Sequence, residues 1–167
     1  MTIETLSFLV AVVGVTSSAL LAYLAYSLNR QSQRATLHRS IGDLYATLMK
    51  FRADHPEVMG LCDKWKIECF DFVYRQKTKK DQSWMLYYTY AELVVSFCNS
   101  VLYGRKSRLL DRLAYNQHYK PLVKMLITEH YQFISSITKA PYLSELIREF
   151  MQEQEREGWD WEKNHLS

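Results

Sequence analysis

The chain has 167 residues, with 21 Lys and Arg against 18 Asp and Glu and a formal net charge of +3. With 48% hydrophobic residues it has enough apolar mass for a folded core, which excludes global disorder. Five Gly and three Pro exclude a collagen-like or low-complexity chain and argue against a loop-rich all-β fold, while so mild a net charge excludes a dedicated polyanion binder.

The first element is apolar. Between Glu4 and Arg30 lie 25 residues without a formal charge, and their apolar centre runs from about Leu6 to Leu28. At about 1.5 Å per residue, a helix of that length crosses the roughly 30 Å hydrocarbon core of a bilayer. A cleaved secretory signal is the alternative. It calls for a basic n-region and a shorter apolar core, whereas this N-terminus reads Met-Thr-Ile-Glu. Arg30, Arg34 and Arg39 follow the segment and no Lys or Arg precedes it, so the positive-inside rule sends the C-terminal side to the cytoplasm, with a bacterial inner membrane as the expected location. Tyr23 and Tyr26 fall at that end, where aromatic rings suit the headgroup layer. Ala11, Gly14, Ser18, Ala22 and Ala25 recur three and four residues apart, a small-residue stripe suited to close packing of another transmembrane helix, or simply the usual composition of such helices.

Leu37, Ile41, Leu44, Tyr45, Leu48 and Phe51 continue at helical spacing, which predicts one helix from about Ile3 to Arg52. Pro56 suits the first turn of the next, with Val58, Cys62, Trp65, Cys69 and Phe72 on one face to about Tyr74. A charged connection, residues 77–81, precedes a helix to Tyr103 whose core face holds Trp84, Tyr88, Ala91, Val95, Cys98 and Leu102, with Gly104 as its stop. That segment carries a single charge, Glu92, so a second membrane span is the alternative; its Tyr content and the central acid favour the middle of a helical bundle.

Beyond Gly104 the pattern predicts a short basic helix from Lys106 to Tyr115. Pro121 then opens a helix with Leu122, Leu126, His130, Phe133 and Ile137 on one face. Pro141 opens the last, with Leu143, Leu146, Ile147 and Phe150 inward, until Gly158 ends it. No β-alternating run and no internal repeat occurs. The fold class expected is all-α: a single transmembrane helix continuing into a cytoplasmic antiparallel helical bundle, divided as anchor 1–29, bundle 30–157 and an acidic Trp-containing tail 158–167.

Motifs for chemistry are sparse. Three cysteines, Cys62, Cys69 and Cys98, do not make a disulfide framework and suit a reducing compartment. Cys62 and Cys69 are two turns apart, too far to chelate one zinc. Glu92, expected to be buried in the most apolar helix, and His130, on an apolar face, are the two candidate buried polar groups. No His-Glu-x-x-His, Cys-x-x-Cys or phosphate-cradling glycine loop is present, so no metal, no cofactor and no catalytic residue is expected.

Charge is segregated: residues 84–124 carry six basic and two acidic residues, residues 125–167 four basic and eight acidic. Arg105, Lys106, Arg108 and Arg112 form a basic surface that suits anionic headgroups, or else a solvated face or pairing with the acidic last helix. Without an aromatic–basic platform, nucleic acid is not an expected partner. Trp159 and Trp161, in an acidic tail, either anchor a partner protein or fold back on the bundle. These features describe a non-enzymatic membrane-anchored protein that binds the bilayer and a partner protein, or itself through the transmembrane helix, as in an accessory subunit of a membrane assembly. An oligomerising membrane effector or sensor is the second reading, and an enzyme using Glu92 or His130 the third.

Overall fold

A computed structural model of the protein describes residues 3–58, 82–138 and 145–165. Every regular element among them is a helix: α1 (Ile3–Asp54), α2 (Gln82–Lys106), α3 (Arg112–Ala114), a π-helical segment (Tyr115–Tyr119), α4 (Lys120–Glu129), α5 (Tyr131–Thr138), α6 (Glu145–Arg156) and α7 (Trp161–His165). Of the expected helix from Pro56 to Tyr74, Pro56 to Val58 are described, with Val58 buried; the remainder, with Cys62, Trp65, Cys69 and Phe72, the connection at 77–81, and Pro141 and Leu143 lie outside the described residues. The chain divides into two compact units, Met1–Thr36 and Leu37–Ser167.

The first unit contains the N-terminal part of α1. Among the described residues one helix is long and apolar enough to cross a membrane, and it is this one, with a window of mean hydropathy 1.3 of which none is buried. Val13, Val15, Leu20, Leu21, Leu24 and Leu28 all stand exposed.

The second unit holds the core. Ile41 and Leu48 of α1 are buried, Leu37, Leu44 and Phe51 are half-buried and Tyr45 is exposed, so the periodic apolar face is the packed one. In α2, Ala91, Val95, Cys98 and Leu102 are buried as their spacing implies, and Tyr87, Tyr90, Val94, Phe97 and Val101 are buried too. Burial on so wide an arc marks a helix packed on several sides, and α2 does pack against α4 and α6. Burial desolvates the Cys98 thiol and pushes its pKa up, which keeps it protonated and inert.

Several helix boundaries differ from the sequence expectation. Gly104 does not stop α2; the helix runs two residues further. A Cβ at Gly104 would stand 2.7 Å from Leu110 Cγ and from Leu37 Cδ2, so glycine here allows close approach. The stop comes at Arg108, which adopts a left-handed φ of 56°. Leu109 N–H donates to Gly104 O and Arg108 N–H to Arg105 O, the bond pair of a Schellman motif. The predicted basic helix from Lys106 to Tyr115 is therefore interrupted by a turn, and α3 begins only at Arg112. There the Asp111 carboxylate accepts from the Leu113 and Ala114 amides and caps the helix.

Pro121 does not open a separate helix either. Helical structure runs from Arg112 to Glu129, with a π segment just ahead of the proline. Proline lacks an N–H and its ring crowds the carbonyl four residues back, which favours a widened turn. The Lys120 amide accordingly donates to Tyr115 O, five residues away. The predicted face through His130 is broken there: His130 leaves helical geometry (φ −113°, ψ 25°) and separates α4 from α5. Gly158, by contrast, ends α6 as expected. Its φ is 89°, and the bonds from Trp159 N–H to Gln154 O and from Gly158 N–H to Glu155 O make a second Schellman turn.

Candidate functional site

In the first unit, Gly14, Ser18, Ala22 and Ala25 are exposed, and open space surrounds Gly14; Ala11 lies in α1 as well. Three hydroxyls in this stretch bond back to their own helix. Thr16 Oγ1 donates to Val12 O (2.9 Å), Ser18 Oγ to Gly14 O (2.8 Å) and Ser27 Oγ to Leu24 O (3.1 Å). Tyr23 and Tyr26 are exposed, Arg30 is half-buried and Arg34 is exposed.

In the second unit the basic stretch is not a free surface. Arg105, at the end of α2, makes a bidentate pair with Glu153 of α6, both N–O distances 2.8 Å. Lys106 Nζ holds Glu149 at 3.0 Å, and Lys120 Nζ holds Glu157 at 2.9 Å. The three acids are spaced by four along α6 and the turn after it, so their side chains share one face. Of the alternatives for the basic surface, Arg105 and Lys106 take the pairing with the acidic helix, while Arg108 sits in the turn and Arg112 is exposed in α3. The Arg105 guanidinium also lies over the Tyr115 ring, 4.9 Å from its centroid.

The charges respond to this geometry. The hydrogen-bonded Arg105 guanidinium holds the Glu153 carboxyl below its ordinary pKa, and the same bond raises that of Arg105. Burial raises the Tyr115 phenol, against the pull of Arg105. Desolvation, then repulsion from Lys120, lowers Lys124, whose Nζ rests 3.5 Å from the Trp159 ring centroid.

The tail folds back. Trp161 is only 2% exposed and donates its indole N–H to Met151 O at 3.2 Å. Its ring stands near Phe150 and meets Trp159 edge-on. Asp160 caps α7 by accepting from the Lys163 amide. As a partner anchor Trp161 is therefore corrected: it closes the protein's own core, because the turn at Gly158 aims it there. Trp159 is half-buried.

Glu92 is also corrected. It is exposed, on the side of α2 away from the core. Its hydrogen bond with Tyr88 one turn earlier pushes that phenol up to about 12. His130 is 1% exposed. Tyr87 Oη lies 3.2 Å from its Nδ1, in a bond whose direction follows the imidazole tautomer, and the Tyr90 ring meets it edge-on. The Arg52 guanidinium lies over the Tyr90 ring, 5.7 Å from its centroid, and 3.5 Å from Glu129. Among the described residues no group of three His, Cys, Asp or Glu could hold a metal ion.

Comparison with protein-family models, curated proteins and solved structures found no match. Pairing of the basic stretch with the acidic last helix is among the sequence expectations; what the charge count does not single out is the i, i+4, i+8 spacing of Glu149, Glu153 and Glu157 that realises it.

Proposed function

We propose that the protein is a non-enzymatic, single-pass membrane anchor for a cytoplasmic antiparallel helical bundle that binds a partner protein, as an accessory subunit of a membrane assembly. The observation that carries this reading is the wholly exposed apolar surface of α1 from Val12 to Leu28. A patch of that size is unfavourable in water and favourable in lipid. Thr16, Ser18 and Ser27 bonding back to their own helix fits the same solvent, since lipid offers hydroxyls no partner. Arg30, Arg34 and Arg39 on the C-terminal flank set the cytoplasmic side. The His130 cluster is packed between aromatic rings and serves structure in this reading.

Fractionation tests it. The chain should stay in the membrane pellet through alkaline carbonate and leave it in detergent. A C-terminal reporter that folds only in the cytoplasm should be active, and purification in mild detergent should retain a partner. Release by carbonate overturns the anchor; a lone monomer overturns the partner.

The exposed Gly14, Ser18, Ala22 and Ala25 favour a second reading, an oligomerising effector or sensor. Membrane depolarisation that depends on Gly14 and Ser18 would support it over the first.

A further inference from the structure

The second unit begins at Leu37, and that residue marks one end of it. Leu37 and Leu110 both close on Gly104, so the chain enters the unit beside the turn that joins α2 to α3. Only residues 29–36 separate Leu28, the end of the apolar segment, from Leu37. Even fully extended, that tether spans at most about 32 Å. Met85, toward the other end of α2, lies about 28 Å along the helix axis from Gly104.

The surface at this entry end combines apolar and cationic groups. Tyr103 is 55% exposed and Leu113 63%. Arg108 and Arg112 are exposed between them in sequence, and so is Arg39 of α1, two residues past Leu37. Arg105 and Lys106 are engaged with α6, so the charge presented outward by the turn is that of Arg108 and Arg112. The acid of the stretch, Asp111, has its carboxylate turned onto the Leu113 and Ala114 amides. The turn is also stiff. Ser107 Oγ donates to Tyr103 O at 2.7 Å, the Leu109 and Leu110 amides donate to Gly104 O, and Leu109 and Leu110 are buried. A lone exposed leucine needs no explanation. An aliphatic side chain, an amphipathic tyrosine and two guanidinium groups on one fixed turn match the boundary of a bilayer, where hydrocarbon, phosphate and water meet.

We propose that the α2–α3 turn is a second membrane contact, in which Arg108 and Arg112 bind the phosphates of anionic lipids and Leu113, with Tyr103, enters the boundary layer beside them. The inference rests on the anchored reading above and adds to it a lipid class and the residues that select it. The tether keeps the turn within reach of the leaflet, so modest charge attraction suffices to hold it there. Guanidinium groups suit this task because they pair with phosphate through two parallel bonds.

Photo-crosslinking of the full chain tests it. Benzoylphenylalanine replaces Leu113, or Met85 as the distant exposed control, and the protein enters nanodiscs of phosphatidylcholine with or without phosphatidylglycerol. Mass spectrometry after illumination reads what is attached. Lipid adducts at position 113 should exceed those at 85. They should rise at least about fivefold with phosphatidylglycerol and fall back when salt is raised to about 0.5 M. Arg108→Glu with Arg112→Glu should abolish the rise in a chain of unchanged helix content that stays in the nanodisc. Yields at 113 that ignore lipid charge, or equal yields at 113 and 85, overturn the proposal. So does attachment of position 113 to protein, which assigns the surface to a partner or a second copy. If the double variant does not fold, the lipid and salt comparison on the chain with both arginines decides. Release by alkaline carbonate overturns the anchor and this proposal with it; a carbonate-resistant chain without the lipid-charge effect overturns this proposal alone.

Discussion

The guanidinium of Arg105 grips the carboxylate of Glu153 through two bonds of 2.8 Å, joining residues 48 apart in sequence. Glu153 thereby has a folded-state pKa below its ordinary value. The folded chain then binds fewer protons than the unfolded one in the acid range, so this contribution is present above the ordinary carboxylate pKa and fades as pH falls through the folded one. Glu153→Gln should lower stability by about 0.5–1 kcal/mol near neutrality, no more, because the pair is exposed. Urea unfolding of both proteins across the acid range should show the difference closing as pH falls.

Gly104 and Gly42 should respond oppositely to alanine. At Gly104 a Cβ meets Leu110 and Leu37 at 2.7 Å, and overpacking of this kind costs about 1–3 kcal/mol. At Gly42, in the exposed middle of α1, nothing lies within 4 Å, and Gly42→Ala should stabilise by about 0.5–1 kcal/mol through helix propensity. Thermal melts of the two variants should move in opposite directions.

The two left-handed turns make a matched pair. Gly158 at φ 89° tolerates no side chain cheaply, and Gly158→Ala should cost about 1 kcal/mol. Arg108 at φ 56° already bears that strain, so Arg108→Gly should be neutral or stabilising. Denaturant midpoints would expose an error in either assignment.

Trp161→Ala removes a buried ring and its bond to Met151 O, and should cost about 3–5 kcal/mol with loss of near-ultraviolet dichroism. Trp159→Ala should cost less, since that ring is half-buried and one of its contacts is with Lys124. Equal losses would contradict the folded-back tail.

Local pattern made some of this legible. The period of Ile41 and Leu48, of Ala91, Val95 and Cys98, and of Ile147 and Phe150 depends on one helix at a time, and each of these residues is buried. Gly158 stops α6 because the left-handed conformation there is a property of its own backbone. Glu92 misled because a helix so poor in charge suggests burial all round, yet one side of α2 faces out. Gly104 misled because glycine ends helices and also permits close packing, and only Leu37 and Leu110, brought from elsewhere, distinguish the two.

The mild net charge of +3 is an average over segments, and its segregation into basic and acidic blocks was set by the sequence alone. So were the all-helical character and the uncharged first 25 residues after Glu4. Which cation meets which acid, the π turn before Pro121 and the inward course of Trp161 were decided by tertiary structure. Periodicity assigns a residue to a face of its own helix; what that face meets depends on the other helices, and ion pairs and core closure belong to that second step.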